Sequence, residues 1–364
     1  MKIKNNMFVF IVFLVFFLMH FIVIFWFCQN TPGFALTTTV KLLPLLMTVL
    51  YIALYALSRK MNLWILETIL LIYLGSLFLA FALVMGIIAI TLVLKICHIS
   101  LPFNLGLPAL CTWIILILIS LYTAAKPPSV IKISFDAPTL KKDIKIAFVA
   151  DTHFGATVSP KRTENLKQII AENEPNLIVF AGDIFETDFK HSLPFTEIIS
   201  TILPAKKFGV LGNHEYYQGL ENERASFKAA GINLLENQNT VTEGINIIGI
   251  NDIRTAGISK QKFENILKQT VIPNNFNLLL THTPMYFEEA AKNGVNLMLS
   301  GHNHNGQIWP FTYLVRLSTS YLHGLFKYDK SNLYVTSGTF FWGPPMRFLS
   351  KNEIIFITLK GKGN

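Results

Sequence analysis

Five short stretches of the chain carry side chains able to ligate a metal ion: Asp151-Thr152-His153, Gly182-Asp183, Gly212-Asn213-His214-Glu215, Thr281-His282 and Gly301-His302-Asn303-His304. The last belongs to GHNHNGQ, where two imidazoles one residue apart have no apolar surface of their own to fill. All the donors are nitrogen or oxygen, a set that suits manganese, iron or zinc. Two such ions about 3.5–4 Å apart are a known device for splitting phosphate esters. A carboxylate can bridge the pair, a carboxamide oxygen can complete a shell, and His-x-His spacing lets neighbouring rings reach different ions. The three cysteines, Cys28, Cys97 and Cys111, all lie elsewhere, so neither a thiolate site nor a disulfide framework is expected here.

The elements that must position these groups are short apolar runs, one directly before each stretch: IKIAFVA, NLIVFAG, KFGVLG, NLLLT and VNLMLSG. Runs of this length bounded by turn residues read as buried strands. Between the first two, Thr163 to Asn173 reads as a helix with Leu166, Ile169 and Ile170 on one face. From Asp143 onward the chain is therefore expected to be a layered α/β domain. A single Asp or His after a strand is ordinarily a turn residue or a helix cap. Five at strand ends point to convergence, because sites in open α/β sheets gather at the carboxyl ends of strands. Five of the nine histidines are used in this way, while His20, His98, His191 and His323 read as membrane, loop or surface residues.

In this order and spacing, DTH, GD, GNHE, TH and GHNH resemble the motifs of the calcineurin-like metallophosphoesterase superfamily, over roughly residues 143–360. The resemblance implies a four-layer α/β/β/α sandwich with two divalent ions at the strand ends, manganese first among them and iron or zinc as alternatives. It implies that Asp151, His153 and His304 hold the first ion, that Asn213, His282 and His302 hold the second, and that Asp183 bridges them. His214 matches a histidine that is not a ligand and instead stabilises the transition state or protonates the leaving group. Arg254 in NDIRTAG and Arg347 in GPPMRF are candidates to clamp a second phosphate, or else surface ion-pair partners. GHNHNGQ followed by SGTFFWGPPMRF resembles the membrane-anchored branch, whose usual reading is GHTHGGQ. Asn303 and Asn305 depart from that pattern at positions that are not ligands.

The first third is of a different kind. Met7 to Cys28, Leu42 to Leu57, Ile69 to Leu94 and Leu107 to Tyr122 are apolar stretches on the scale of a bilayer crossing, which takes about 20 residues. The first is longer than a signal-peptide core and lacks a cleavage pattern after it. The expected organisation is an N-terminal α-helical transmembrane bundle over residues 1–126, a linker over 127–142 and the phosphoesterase domain over 143–364. Up to Lys132 the chain has eight Lys or Arg against one acid, Glu67, a net +7 that leaves only +2 of the total +9 for the rest. The basic balance thus comes from flanks of apolar segments, and no nucleic-acid partner is expected. Lys2, Lys4, Arg59, Lys60, Lys126 and Lys132 fall on one side of the spans, Lys41 and Lys95 on the other. The positive-inside rule then makes this a multi-pass protein of the cytoplasmic (inner) membrane with its catalytic domain in the cytoplasm.

A phosphoesterase tethered at a leaflet is placed to act on head groups, whereas tethering does nothing for a freely diffusing nucleotide. The arrangement resembles the bacterial UDP-2,3-diacylglucosamine pyrophosphohydrolases of lipid A synthesis. That resemblance implies a membrane lipid with a nucleotide diphosphate head group as partner, and UMP and 2,3-diacylglucosamine 1-phosphate as products. Another phospholipid, a nucleotide or a cell-wall precursor stays open as substrate, as does a transport or sensing module that the domain regulates. Against the module stands Glu67, the one acid of the membrane part, near a helix end rather than deep in a span. The aromatic stretch Trp309 to Phe326 reads either as a core strand with its turn or as a lipid-contacting lid.

Overall fold

Strands covered on both faces are apolar along their whole length, which is why the runs of the second half do not alternate. The computed structural model describes residues 2–33, 37–101, 103–204 and 206–363. It divides into two units, residues 1–123 with 344–346, and residues 124–343 with 347–364.

The first unit holds four helices, α1 (Lys2–Asn30), α2 (Thr38–Lys60), α3 (Trp64–Ile96) and α4 (Gly106–Ala125), each long and apolar enough to cross a membrane. Leu46, Leu50, Ile65 and Ile90 are exposed while Leu77, Leu79, Ala80 and Val84 are buried, so the helices are apolar all round, as lipid demands. His20, read from sequence as an ordinary membrane residue, is buried where its ring nitrogens meet Thr48 Oγ1 at 3.0 Å and Tyr73 Oη at 2.6 Å, which ties α1, α2 and α3 together. Arg59 donates to Glu67 at 2.9 Å across the α2–α3 turn.

In the second unit the strands are β1 (Ser129–Asp136), β2 (Ile144–Val149), β3 (Leu177–Ala181), β4 (Lys207–Val210), β5 (Asn233–Leu234), β6 (Gln238–Thr242), β7 (Ile245–Gly249), β8 (Phe276–Leu280), β9 (Leu297–Ser300), β10 (Gly324–Tyr328), β11 (Ser331–Val335) and β12 (Glu353–Lys360). The helices are α5 (Pro160–Asn173), α6 (Phe189–Ser200), α7 (Asn213–Gln218), α8 (Leu220–Ala229), α9 (Lys260–Thr270), α10 (Phe287–Lys292) and α11 (Phe311–Ser318). Two six-stranded sheets form, in the orders β1-β12-β2-β3-β4-β5 and β10-β11-β9-β8-β7-β6. Alternate residues of each strand serve different layers. Ile146, Phe148 and Val179 meet Ile247, Leu278 and Leu299 in the core between the sheets. Ala147, Ile178 and Phe180 pack outward on Leu166, Phe195 and Phe227 of α5, α6 and α8. Ile248, Leu279 and Met298 pack on Phe263, Leu267 and Phe287 of α9 and α10. The result is the expected four-layer α/β/β/α sandwich.

Two expectations are corrected. Residues 127–142 are not a linker: Ser129–Asp136 is strand β1, paired in parallel with β12 from Ser129 opposite Glu353 to Asp136 opposite Lys360. SVIKISFD alternates, and Ile131, Ile133 and Phe135 pack on the core between the sheets. The stretch Trp309 to Phe326 is not a core strand either, because residues 311–318 form helix α11, none of it buried, and only 324–328 is a strand.

Candidate metal centre

Three of the expected ligand stretches follow β2, β3 and β4 of one sheet, and two follow β8 and β9 of the other, so the site forms where neighbouring edges of the two sheets meet. Asp151 (φ 54°), His153 (45°), Asp183 (54°), His302 (76°) and His304 (46°) all adopt the left-handed conformation. For residues other than glycine this costs of order 1–3 kcal/mol each and is a mark of functional loops. The glycines of the motifs have a steric reason. A Cβ at Gly301 would stand 2.2 Å from Asp151 Oδ2, and one at Gly212 would stand 2.2 Å from Asp183 Oδ1.

The side chains converge in two groups. In the first, His304 Nε2 lies 3.1 Å from His153 Nε2 and 3.4 Å from Asp151 Oδ1. In the second, His302 Nδ1 lies 2.8 Å from Asn213 Oδ1 and 3.3 Å from His282 Nε2, which is 3.0 Å from Asp183 Oδ2. Asp183 Oδ2 is also 3.9 Å from His153 Nε2, so this one carboxylate reaches both groups. The residues fit a pair of divalent ions. His282 donates from Nδ1 to the Ala181 carbonyl at 2.8 Å and turns Nε2 to Asp183, which, against the effect of burial, raises this ring well above its usual range. Burial and the neighbouring His282 lower His302 to about 4, and burial with His153 holds His304 well below its usual range, so both rings are neutral, as ligands must be. Asp183 is ionised, since His282 and His214 outweigh the cost of its burial. Carboxylates and imidazoles gathered out of water suit a cation among them.

His214 stands beside this cluster and outside it. Its Nε2 is 3.9 Å from Asp183 Oδ2, its Nδ1 is 3.2 Å from Glu186 Oε1, and its ring meets Trp342 edge-on with centroids 5.7 Å apart. Burial works against a charged ring here, but Asp183 and Glu186 outweigh it and raise His214 to about 9, so it is protonated at neutral pH.

The expected second-phosphate residues separate. Arg254 is exposed on the loop after β7, and its charge is felt at His302. Arg347 is neither a clamp nor a surface ion-pair partner. It is wholly buried and donates from Nη1 to Ser350 Oγ at 2.6 Å and to the His304 carbonyl at 3.4 Å, and from Nη2 to the carbonyls of Ser337 and Phe340. It braces the loop that carries His304.

Three acids without an assigned role complete the site. Glu186, three residues after Asp183, lies 3.2 Å from both His153 Nδ1 and His214 Nδ1, and these partners hold its carboxyl well below the usual range. Glu215 accepts from the backbone of Asp183 (2.9 Å), Ile184 (2.6 Å) and Gly212 (2.6 Å), which locks the loops after β3 and β4 together. Buried Asp252 accepts from Thr283 Oγ1 and from the Thr255 backbone, beside His282. For Glu186 and Glu215 the usable signal is an acid close to a ligand in the same loop, whereas Asp252 lies in a loop without a ligand and gives none.

Known proteins carry the same pattern. Residues 144–306 match the model of a family described as calcineurin-like phosphoesterase. A metallophosphoesterase of Campylobacter jejuni is 34% identical over 267 residues, covering 71% of this chain and 70% of its own length. One of Helicobacter pylori is 32% identical, covering 61% of each chain. A protein of Danio rerio described as a transmembrane protein with metallophosphoesterase domain is 27% identical, covering 69% of this chain and 62% of its own. With its two sheets, its clustered ligands and these relatives, the chain belongs to the calcineurin-like metallophosphoesterases.

Proposed function

We propose that this metal-dependent phosphoesterase hydrolyses the pyrophosphate of a nucleotide-linked membrane lipid, UDP-2,3-diacylglucosamine, to UMP and 2,3-diacylglucosamine 1-phosphate at the cytoplasmic face of the inner membrane. Asp151, His153 and His304 would hold one ion, Asn213, His282 and His302 the other, and Asp183 would serve both. The ions are manganese in this reading. The observation that carries the reaction class is the carboxylate of Asp183 within 4 Å of ring nitrogens in both groups, with protonated His214 alongside. What supports a lipid is that the same chain carries four helices of membrane length, with only Lys126, Pro127 and Pro128 between the last of them and β1.

When bound, two divalent cations would supply a water that ionises near neutral pH and positive charge against the phosphoryl oxygens. The chain's own groups do the rest. His214, kept charged by Glu186 and Asp183, donates to a phosphoryl oxygen as the new P–O bond forms and the bond to the departing phosphate breaks. Because a phosphate monoester leaves readily, a hydrogen bond from His214 suffices where a poorer leaving group would need the whole proton. Exposed Arg254 pairs with the second phosphate. The test is turnover by the detergent-solubilised full chain with Mn2+. UDP-2,3-diacylglucosamine should be cleaved far faster than UDP-N-acetylglucosamine, with UMP as the nucleotide product. Equal rates on the two, or release of inorganic phosphate, would transfer the reading to another phospholipid, nucleotide or cell-wall precursor.

A further inference from the structure

Helix α11 is amphipathic, and its apolar face is exposed. Phe311, Leu314 and Leu317 recur every three residues along one face, and Thr312 and Arg316 lie four apart on the opposite face. In a globular domain the apolar face would be covered, yet Leu314 is 59% and Leu317 86% exposed. On the opposite face Thr312 Oγ1 donates to the Asn305 carbonyl at 3.2 Å, and exposed Arg316 lines a cavity of about 650 Å³ at the end of the helix together with Leu317, Ser318, Thr319, Ser320 and His323. Arg316 has no ion pair among the described residues. His323 is held from behind by Glu353, 3.2 Å away, whose carboxylate also accepts from the Ser337 backbone and Thr336 Oγ1. The cavity adjoins the loop of the metal centre: Asn305, also on its wall, directly follows His304, and Asn303 Nδ2 donates to the Tyr321 carbonyl at 2.8 Å.

We infer that this cavity is a binding site for the phosphate-bearing head group of a membrane phospholipid, with the outward face of α11 lying among the acyl chains. The volume is that of a small-molecule site. Ser318 and Thr319 already donate to the carbonyls of Val315 and Tyr321, which leaves a guanidinium without a counter-ion, the Ser320 hydroxyl and the His323 imidazole to face an anion. Exposed Leu314 and Leu317 beside it suit alkyl chains, in a chain whose own helices are built for lipid. The inference deepens the lipid reading of the metal centre and rests on it, because the head group would lie next to the loop that carries His302 and His304.

The test is calorimetric titration of dihexanoyl phosphatidic acid into the full chain in dodecyl maltoside, a detergent without phosphate. Chelator is present so that the metal centre takes no part, and empty micelles serve as blank. Saturable binding is expected, weakened about tenfold or more by Arg316→Ala, as for loss of one charge-assisted hydrogen-bonding group, and partly restored by Arg316→Lys. Inorganic phosphate should bind at least tenfold more weakly than the lipid, and Leu314→Ser with Leu317→Ser should close that gap. No binding, or lipid binding indifferent to Arg316→Ala, overturns the proposal. Equal affinity for inorganic phosphate and lipid also overturns it, in favour of a site for a free anion. Hydrolysis of bis(4-nitrophenyl) phosphate by the metal-loaded wild type, measured alongside, reports on the phosphoesterase reading separately, since that reading can fail while the chelated titration succeeds.

Discussion

At the scale of single residues, side chains that touch a metal ion and side chains that only hold others in place should fail differently. Asp183→Asn removes the charge both groups share, and His302→Ala removes one ring. Either should lower metal content by elemental analysis and turnover together, and full activity of either in chelated buffer would refute the two-ion centre. Arg347→Lys keeps a charge but loses the planar fork on the carbonyls behind His304. Metal affinity should fall about 10–100-fold, as when an outer partner of a metal ligand is changed. Arg254→Ala should leave metal content unchanged and raise KM for the proposed substrate, UDP-2,3-diacylglucosamine. Glu223 makes a pH prediction away from the metals. Both its carboxylate oxygens are buried without a partner among the described residues, and burial with nearby Glu215 raises it to about 10. The folded chain then holds a proton that the unfolded chain releases above its ordinary carboxylate pKa, so stability falls as pH rises from near 4.5 toward 10. Glu223→Gln should melt with the wild type at pH 5 and several degrees above it at pH 9. Identical melting at both values would show that the carboxyl carries no such proton.

At the scale of elements, the five strands before the ligand stretches were legible because each is a short apolar run closed by a turn, and the sheet's carboxyl edge did the rest. The division of those strands between two sheets came with the family resemblance, since no periodicity says which sheet a wholly buried strand joins. β1 was hidden for a different reason. Its partner β12 lies more than 200 residues downstream, and its alternating pattern sits just past two prolines among lysines, where a linker is the simpler reading. α11 was hidden because its apolar face is exposed, so the rule that apolar means buried misplaces it. β1 is therefore the element whose removal is most telling. A chain begun at Asp143 lacks Ile131, Ile133 and Phe135, each contributing about 1–2 kcal/mol for partial burial, and bares the edge of β12. It should aggregate or melt well below a chain begun at Ala124, as followed by light scattering and thermal denaturation. Equal solubility and melting of the two would make β1 dispensable.

At the scale of the whole molecule, what decides the available substrates is the side of the membrane on which the metal centre lies. Four spans place both termini on one side, and the flanking charges choose which. Lys2, Lys4, Arg59, Lys60, Lys126 and Lys132 stand against Lys41 and Lys95. Arg59 is paired with Glu67, but the rule counts Lys and Arg rather than net charge, so that pair does not cancel its vote. Orientation is therefore predicted with the C-terminus in the cytoplasm. Green fluorescent protein joined after Asn364 should fluoresce in a bacterial host, and alkaline phosphatase joined at the same point should be inactive. Because the majority is carried by three pairs of cations, replacing Arg59 and Lys60 by Gln while adding two Lys to the α1–α2 loop should level it at four against four and yield a mixed population with both reporters partly active. Phosphatase activity from the unaltered chain would place the metal centre outside the cytoplasm. There it would meet no nucleotide-activated lipid, and the UDP-lipid reading would give way to hydrolysis of a phospholipid in the outer leaflet, while the two-ion chemistry would stand.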